Sequence, residues 1–173
     1  MRTFLISAGL SLGLALSSFG QHQPVPDYVV KQAFPDSVLA ISVAKPDGSR
    51  VKFSDVLALY HGKKLVVDIW ASWCRDCIVG LPKLEELKKT TGEGVVYLFL
   101  SVDDSEVKWR SAISRFGIKG DHYRIEDGWK NPLANYIVLD WVPRYMVLNE
   151  EGRVVMPKAI VADDQLLKDA LVD

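Results

Sequence analysis

The stretch "LVVDIWASWCRDC", from Leu65 to Cys77, decides the fold and contains both cysteines of the chain. It opens with an almost unbroken apolar run, which predicts a buried central strand over Lys64–Trp70. From Arg75 onward, leucines recur at helical spacing until Gly92, which predicts an amphipathic helix. Cys74 is therefore expected at a helix N-terminus, directly after a strand.

The spacing of the two cysteines favours reactivity over stapling. A Cys74–Cys77 bridge would close a very short loop, and such a loop gains little stability from a crosslink. A thiol attacks a disulfide only as the thiolate, which the free N–H groups of a helix N-terminus stabilise. Cys74 is therefore the predicted nucleophile. Cys77, in the next turn, is the predicted resolving thiol that releases a covalently trapped partner.

Two neighbours of the cysteines are further candidate site residues. Asp68 interrupts the apolar strand, and a buried carboxylate is costly unless it has a partner or a raised pKa. We interpret it as a proton acceptor for Cys77; the alternative is an exposed strand position, so burial decides between them. Trp73 is predicted to form an apolar rim for a docked partner, with core packing as the alternative.

Composition limits the function classes. The 173 residues are 49% hydrophobic and 25% charged, which is typical of one soluble globular domain. A net charge of −1, without a basic block, argues against nucleic-acid binding. Residues 1–20 combine an early cation, an apolar run and small residues, and we predict a secretory signal peptide. The alternative is an uncleaved membrane anchor, although the run is shorter than the roughly 20 residues that span a bilayer.

The remaining chain reads as a short lead-in and one domain. Residues 21–36 are polar and Pro-rich, which predicts a loosely ordered lead-in, and the domain is expected over residues 37–173. Its leading hairpin is expected from strands over Ser37–Ala44 and Arg50–Phe53, and Ser54 and Asp55 are candidate caps of the next helix. Strands and helices then alternate until a second hairpin, Arg144–Val155, and a last helix. This order predicts an α/β sandwich with a mixed sheet.

Other chemistry for two cysteines is less well supported. A structural zinc site needs four ligands, and the remaining candidates, His22, His61 and His122, are not at ligand spacing. The chain also lacks the threonine-assisted motif of a thiol peroxidase and the Cys-x-x-x-Cys of a Sco-type copper chaperone. We therefore predict no metal and no other cofactor.

The decisive stretch, with Pro82 five positions after Cys77, resembles the active-site segment of the thioredoxin superfamily. The leader, the letters "WASWC" and "VPRYMVLNEEGRVV" (Val142–Val155) resemble its TlpA/ResA-like branch of bacterial thiol–disulfide reductases. This resemblance implies a thioredoxin-like α/β fold, with a central mixed β-sheet flanked by helices and an N-terminal β-hairpin. It also implies an inserted segment before a cis-proline, which we place within residues 104–136.

The resemblance also implies site residues. Val142-Pro143 would form a cis peptide that packs beside the cysteines and offers backbone groups to a substrate, so both join Trp73 as predicted substrate-binding residues. Asp68 would handle protons as in thioredoxin. The spacers Arg75 and Asp76 depart from the usual Gly-Pro or Glu-Pro. Gly80 stands where ResA-like members carry Glu, so that Glu's role is not transferred.

These features together predict an exported thiol–disulfide oxidoreductase, periplasmic or tethered by an uncleaved leader. The favoured reaction is reduction of disulfides in extracytoplasmic proteins by the Cys74–Cys77 pair. The expected partners are a disulfide-containing protein client and a membrane thiol-transporting electron donor. The alternatives are a non-catalytic extracytoplasmic module that binds clients and a thiol peroxidase.

Overall fold

A central sheet organises the part of the chain that the computed structural model describes, residues 23–30 and 32–172. The strands are β1 Ser42–Ala44, β2 Arg50–Lys52, β3 Lys64–Trp70, β4 Val95–Ser101, β5 Asp121–Ile125, β6 Arg144–Leu148 and β7 Val154–Ala159. The helices are α1 Asp36–Leu39, α2 Phe53–Leu59, α3 Arg75–Thr91, α4 Glu106–Phe116, α5 Pro132–Tyr136 and α6 Gln165–Val172, with short 3₁₀ turns at Asp27–Val29 and Gly92–Gly94.

The strand order is β2-β1-β5-β4-β3-β6-β7. β3 pairs in parallel with β4 and antiparallel with β6, and β4 pairs in parallel with β5. The hairpin β1–β2 and the strand β7 extend the sheet with antiparallel pairs. The predicted mixed sheet with flanking helices and an N-terminal hairpin is confirmed.

The central strand and the helix after it have the predicted bounds. All residues of β3 from Leu65 to Trp70 are buried, as expected for a strand covered on both faces. The helix α3 places Leu84 and Leu87 in the core and ends at Thr91, with Gly92 as its C-cap. It continues through Pro82, and a bend at that residue remains a prediction.

The range in which an inserted strand and helix are expected, residues 104–136, contains α4, β5 and α5. The side chain of Ser105 caps α4 by accepting the N–H of Lys108 at 3.3 Å. The amide oxygen of Asn131 caps α5 by accepting the N–H of Ala134 at 2.9 Å. Because β5 lies between β4 and β1, the insertion joins the N-terminal hairpin to the rest of the sheet.

Two local predictions at the start of the domain are wrong. Residues 37–39 belong to α1, and the strand begins only at Ser42, because the carbonyl of Pro35 accepts the N–H groups of Val38 and Leu39 and closes a helical turn. Neither Ser54 nor Asp55 caps α2, which begins one residue earlier at Phe53. The burial of Phe53, and its N–H bond to the carbonyl of Ile41, fix this start.

The lead-in contributes side chains to the core where it is described, and its loose order remains a prediction. Val29 is fully buried, and Val25 packs against the core. The predicted leader, residues 1–20, lies outside the described residues. Among residues 23–30 and 32–172, no helix has the length and apolarity needed to cross a membrane.

Candidate active site

The two cysteines form a disulfide at the junction between β3 and α3. Their sulfurs are bonded at 2.07 Å, and their Cα atoms are 5.3 Å apart. Cys74 is the N-cap of α3, and its sulfur accepts the backbone N–H of Cys77 at 3.0 Å. The helix N-terminus therefore directs an N–H group at the sulfur predicted to be the nucleophile, an arrangement that favours the thiolate once the bond is reduced.

Cys74 lines a cleft on the surface of the described chain, and Cys77 is not among the residues that line it. A cleft of about 370 Å³, here called the Cys74 cleft, is lined by Trp73, Cys74, Arg75, Asp76, Trp129, Asp140, Trp141 and Val142. Cys74 is 6% exposed and Cys77 is 4% exposed, and Cys77 does not border the cleft. Both residues are buried to nearly the same extent, so the cleft distinguishes them, and its position fits Cys74 as the attacking thiol and Cys77 as the resolving thiol.

The peptide bond Val142-Pro143 is cis, as the resemblance implied. The carbonyl oxygen of Val142 lies 3.4 Å from the sulfur of Cys74. Pro143 lines a second cleft together with Gly80 and Tyr145, and Trp141 lines both clefts. The loop that carries Val142 and Pro143 is therefore in contact with the disulfide.

Asp68 occupies a buried position, so the alternative of an exposed strand position is wrong. Asp68 is 4% exposed, and its Oδ1 has no hydrogen-bond partner among the described residues. Burial raises the pKa of Asp68 to about 7, and the charge of Lys88 opposes part of this rise. The side chain can therefore take up or release a proton near neutral pH.

The face of the sheet on which Asp68 lies is the one under α3. Asp68 is directly opposite Phe99 on β4 and Tyr145 on β6, and paired residues project to the same face. The ammonium of Lys88, on α3, lies 4.8 Å from the ring centroid of Phe99. The hydroxyl of Tyr145 lies 3.6 Å from the place where a Cβ on Gly80 of α3 would stand.

A family model described as thioredoxin-like matches residues 62–154, which is more than half of the chain and includes the disulfide, Asp68 and the cis-proline. The chain belongs to the thioredoxin-like family.

Two relatives of this thioredoxin-like chain have names that state thiol–disulfide chemistry. It is 36% identical over 63 residues to the thiol:disulfide interchange protein TxlA homolog of Synechocystis, a match to 36% of this chain and 34% of that protein. It is 23% identical over 110 residues to the thiol-disulfide oxidoreductase ResA of Bacillus thuringiensis, which covers 63% of this chain and 60% of that protein. The chain thus matches about a third of the first relative's length and less than two thirds of the second's.

A solved structure shows the same fold at low sequence identity. The thiol-disulfide oxidoreductase from Bacteroides fragilis superposes with a TM-score of 0.64 and is 20% identical, covering 79% of this chain and 98% of that one. At this identity the likeness establishes the fold alone.

Trp73 is indeed exposed, and two tryptophans that sequence reasoning missed stand beside it. Trp73 is 60% exposed and Trp141 is 45% exposed. The rings of Trp73 and Trp129 are 6.3 Å apart between centroids. Trp129 comes from the loop between β5 and α5, so the inserted segment contributes to the thioredoxin-like site. The position of Trp141, just before Val142, was the signal that could have found it.

Asp103 is a second residue that sequence reasoning missed. It is buried, and its carboxylate accepts the N–H of Ser72 at 2.8 Å, the hydroxyl of Ser72 at 2.6 Å and the hydroxyl of Ser101 at 2.8 Å. These bonds tie the end of β4 to the loop that precedes Cys74. The available signal was an acid placed just after β4, because the carboxyl ends of parallel neighbours meet at one edge of a sheet.

The two described histidines, His61 and His122, do not lie at the cysteines. The Nε2 of His122 donates to the carbonyl of Ile118 at 2.9 Å, and its ring stacks on Phe99. His61 lines a separate cavity beside α2, and His22 lies outside the described residues. In the described part of the chain, no three side chains of His, Cys, Asp or Glu are close enough to hold a metal ion.

Proposed function

We propose that this protein is a thiol–disulfide oxidoreductase that acts through Cys74 and Cys77. The observation that carries the proposal is the position of Cys74, which lines an open cleft and whose sulfur accepts an N–H at the start of α3. Both features are what an attacking thiolate requires, namely access and stabilisation of its charge. The thioredoxin-like family and the names of the relatives support the same reaction.

The reaction balances in two exchange steps. The thiolate of reduced Cys74 attacks one sulfur of a client disulfide, and the other client sulfur leaves as a thiolate that takes up a proton. The thiolate of Cys77 then attacks the Cys74 sulfur of the mixed disulfide and expels the second client thiol. Two electrons pass to the client, and the protein is left with the Cys74–Cys77 disulfide.

Asp68 is the proposed proton acceptor for Cys77. It lies on the sheet face under α3, the helix that carries Cys77, and its pKa of about 7 suits proton exchange near neutral pH. Because Cys77 is buried, its proton has no ready path to bulk water. A buried carboxylate on the same side of the sheet offers an acceptor without solvent.

Trp73, Val142 and Pro143 are the proposed client-binding residues. Val142 presents a carbonyl beside the Cys74 sulfur, where an extended client segment could donate a backbone N–H. Trp73 offers a large exposed apolar surface at the rim of the same cleft. Pro143 lines the neighbouring cleft, where the side chain next to the client cysteine would rest.

We further propose that the protein is exported and reduces disulfides in extracytoplasmic proteins. The leader-like composition of residues 1–20 supports export, and the names of the relatives support exchange between thiols and disulfides. In an oxidising compartment the used disulfide must be reduced again, so a membrane thiol-transporting protein is the proposed electron donor.

An insulin reduction assay tests the activity. With dithiothreitol as electron source, the wild type should accelerate insulin precipitation and Cys74→Ser should not. Cys77→Ser should accumulate a covalent client that a reducing agent releases. Activity retained in Cys74→Ser would overturn the proposal, and client binding retained when both cysteines are serine would favour a non-catalytic binding module.

The reduction potential of the Cys74–Cys77 pair tests the direction of the reaction. Thiol oxidoreductases range from about −270 mV for reductants to about −120 mV for oxidants. A measured potential near the reducing end is expected. A potential near the oxidising end would overturn the assignment as a reductase and leave the exchange chemistry intact.

A further inference from the structure

The loop between α5 and β6, residues 137–143, is bound by the guanidinium of a buried arginine. Arg144 is fully buried, and its guanidinium donates to the carbonyls of Ile137 at 3.3 Å and Val138 at 3.4 Å. The same guanidinium forms an ion pair with Asp140. Val138 has a φ of 49°, which a β-branched residue rarely adopts, so these contacts hold the loop in one unusual shape.

Asp140 also binds two further parts of the chain, the strand β7 and the N-terminal segment. Its carboxylate accepts the ammonium of Lys158, on β7, at 2.7 and 3.0 Å, and the backbone N–H of Gln23 at 2.7 Å. Lys158 also donates to the carbonyl of Gln23 at 2.8 Å. The N-terminal segment, residues 23–30, is thereby fastened to the residue two positions before Val142.

The charge of Asp140 is secured by its surroundings. Partial burial acts to raise the pKa of Asp140, but the hydrogen bonds from Lys158 and Gln23 and the charge of Arg144 lower it to about 2. The carboxylate is therefore an anion at any physiological pH. Asp140 also lines the Cys74 cleft, so this clamp lies at the border of the site.

The N-terminal segment has a second attachment to the same region. The hydroxyl of Tyr136, the last residue of α5, donates to the carbonyl of Tyr28 at 3.1 Å, and their rings are 5.3 Å apart between centroids. The residue before the loop 137–143 and the residue at its middle are thus both in contact with residues 23–30. Movement of this segment would release the loop from one side.

We infer that Asp140, held by Lys158 and the backbone of Gln23, is a positioning residue for disulfide exchange. The N-terminal segment, residues 23–30, contributes to the site by holding Asp140 in place. The inference rests on the proposed function. Asp140 acts through Val142: it fixes the carbonyl that lies 3.4 Å from the Cys74 sulfur and would receive an extended client. It should matter for a peptide disulfide and little for a small disulfide that needs no backbone pairing.

Two pairs of variants test this role. Asp140→Asn removes the anion, and Asp47→Asn is its control, because Asp47 likewise accepts a backbone N–H and a hydroxyl, both from Ser49, in an exposed turn. Gln23→Pro removes one N–H and keeps the carbonyl that Lys158 binds, and Gln23→Ala, which keeps the N–H, is its control. The second pair stays informative if Asp140→Asn does not fold.

The measurements are kcat and KM for an oxidised peptide, the rate with 5,5′-dithiobis(2-nitrobenzoate), and the alkylation rate of reduced Cys74. For Asp140→Asn we expect kcat/KM for the peptide to fall about tenfold, mainly through KM, because small misplacements of positioning groups have effects of this order. Gln23→Pro should shift in the same direction. The small disulfide and alkylation rates should be unchanged, and so should both controls.

Two results would overturn the inference alone. One is an unchanged KM for the peptide in both Asp140→Asn and Gln23→Pro. The other is an equal loss with peptide and small disulfide, which would indicate a general structural role. A wild type that reduces neither disulfide would instead overturn the proposed function, and this inference with it.

Discussion

Asp68 and Tyr145 lie directly opposite each other on β3 and β6, both buried, on the face of the sheet that α3 covers. Burial raises the pKa of the Tyr145 hydroxyl, and the nearby charges of Asp68 and Asp163 raise it further. The tyrosine is therefore neutral at every pH at which the protein would work. The carboxyl group of Asp68 is the member of the pair that changes its charge near neutrality.

This burial makes Asp68 a cost to stability, and Asp68→Asn should be more stable than the wild type above pH 7. The folded-state pKa of about 7 lies above the ordinary pKa of 3.8 for an aspartic acid, so folding favours the protonated acid. The contribution of protonated Asp68 to the free energy of unfolding is fully present below pH 3.8. It is lost as the pH rises through 7, by an amount on the order of 4 kcal/mol. An unpaired buried amide costs roughly 1–3 kcal/mol, so we expect a net gain of about 1–3 kcal/mol at pH 8.

Urea unfolding of the oxidised protein at pH 4, 6 and 8 measures this effect. The difference between Asp68→Asn and the wild type should grow with pH and reverse or vanish at pH 4. Asp55→Asn, at an exposed position on α2, provides the baseline for an acid-to-amide change. A stability difference that is the same at pH 4 and pH 8 would show that Asp68 does not titrate in this range.

The central part of the site was predictable because its signals are local. The apolar run before Cys74 and the leucine spacing after it lie in one stretch of chain, and each encodes one element. Burial of Asp68 followed from its apolar neighbours in the same strand. The same local reasoning failed at residues 37–39, where strand-like composition was overridden by a helical turn that Pro35 begins.

What the sequence did not reveal depends on contacts between distant segments. Lys158 reaches Asp140 across 18 positions and Gln23 reaches it across 117, so no local pattern marks the clamp. Trp129 joins Trp73 because β5 inserts between β4 and β1, a sheet order that chain order does not give. Polar residues in loops also lack the periodicity that identifies strands and helices.

Gly120→Ala should destabilise the protein by about 3 kcal/mol through overpacking and an unfavourable backbone conformation. Its φ is 140°, and an added Cβ would stand 2.8 Å from the ring of Phe99 and 3.0 Å from the carbonyl oxygen of Tyr97. The ring of Phe99 has little room to move, since it is buried and stacks on His122. Urea unfolding measures the loss. Gly94→Ala, with open space at the Cβ, is the control, and an equal loss there would contradict the packing argument.

Asp103→Ala should lower both the stability of the fold and the reactivity of Cys74. The change leaves the N–H and hydroxyl of Ser72 without their acceptor, so we expect a loss of about 3 kcal/mol, as for buried hydrogen bonds to a charged group. Because Ser72 lies two residues before Cys74, alkylation of the reduced cysteine should slow about tenfold as the loop loses its fixed position.

Asp103→Asn, which keeps one acceptor oxygen, should recover part of both losses. The neighbouring Asp104→Ala, at an exposed position, is the control in urea unfolding and iodoacetamide alkylation. If Asp103→Ala lost stability but kept the wild-type alkylation rate, Asp103 would support the fold without positioning Cys74.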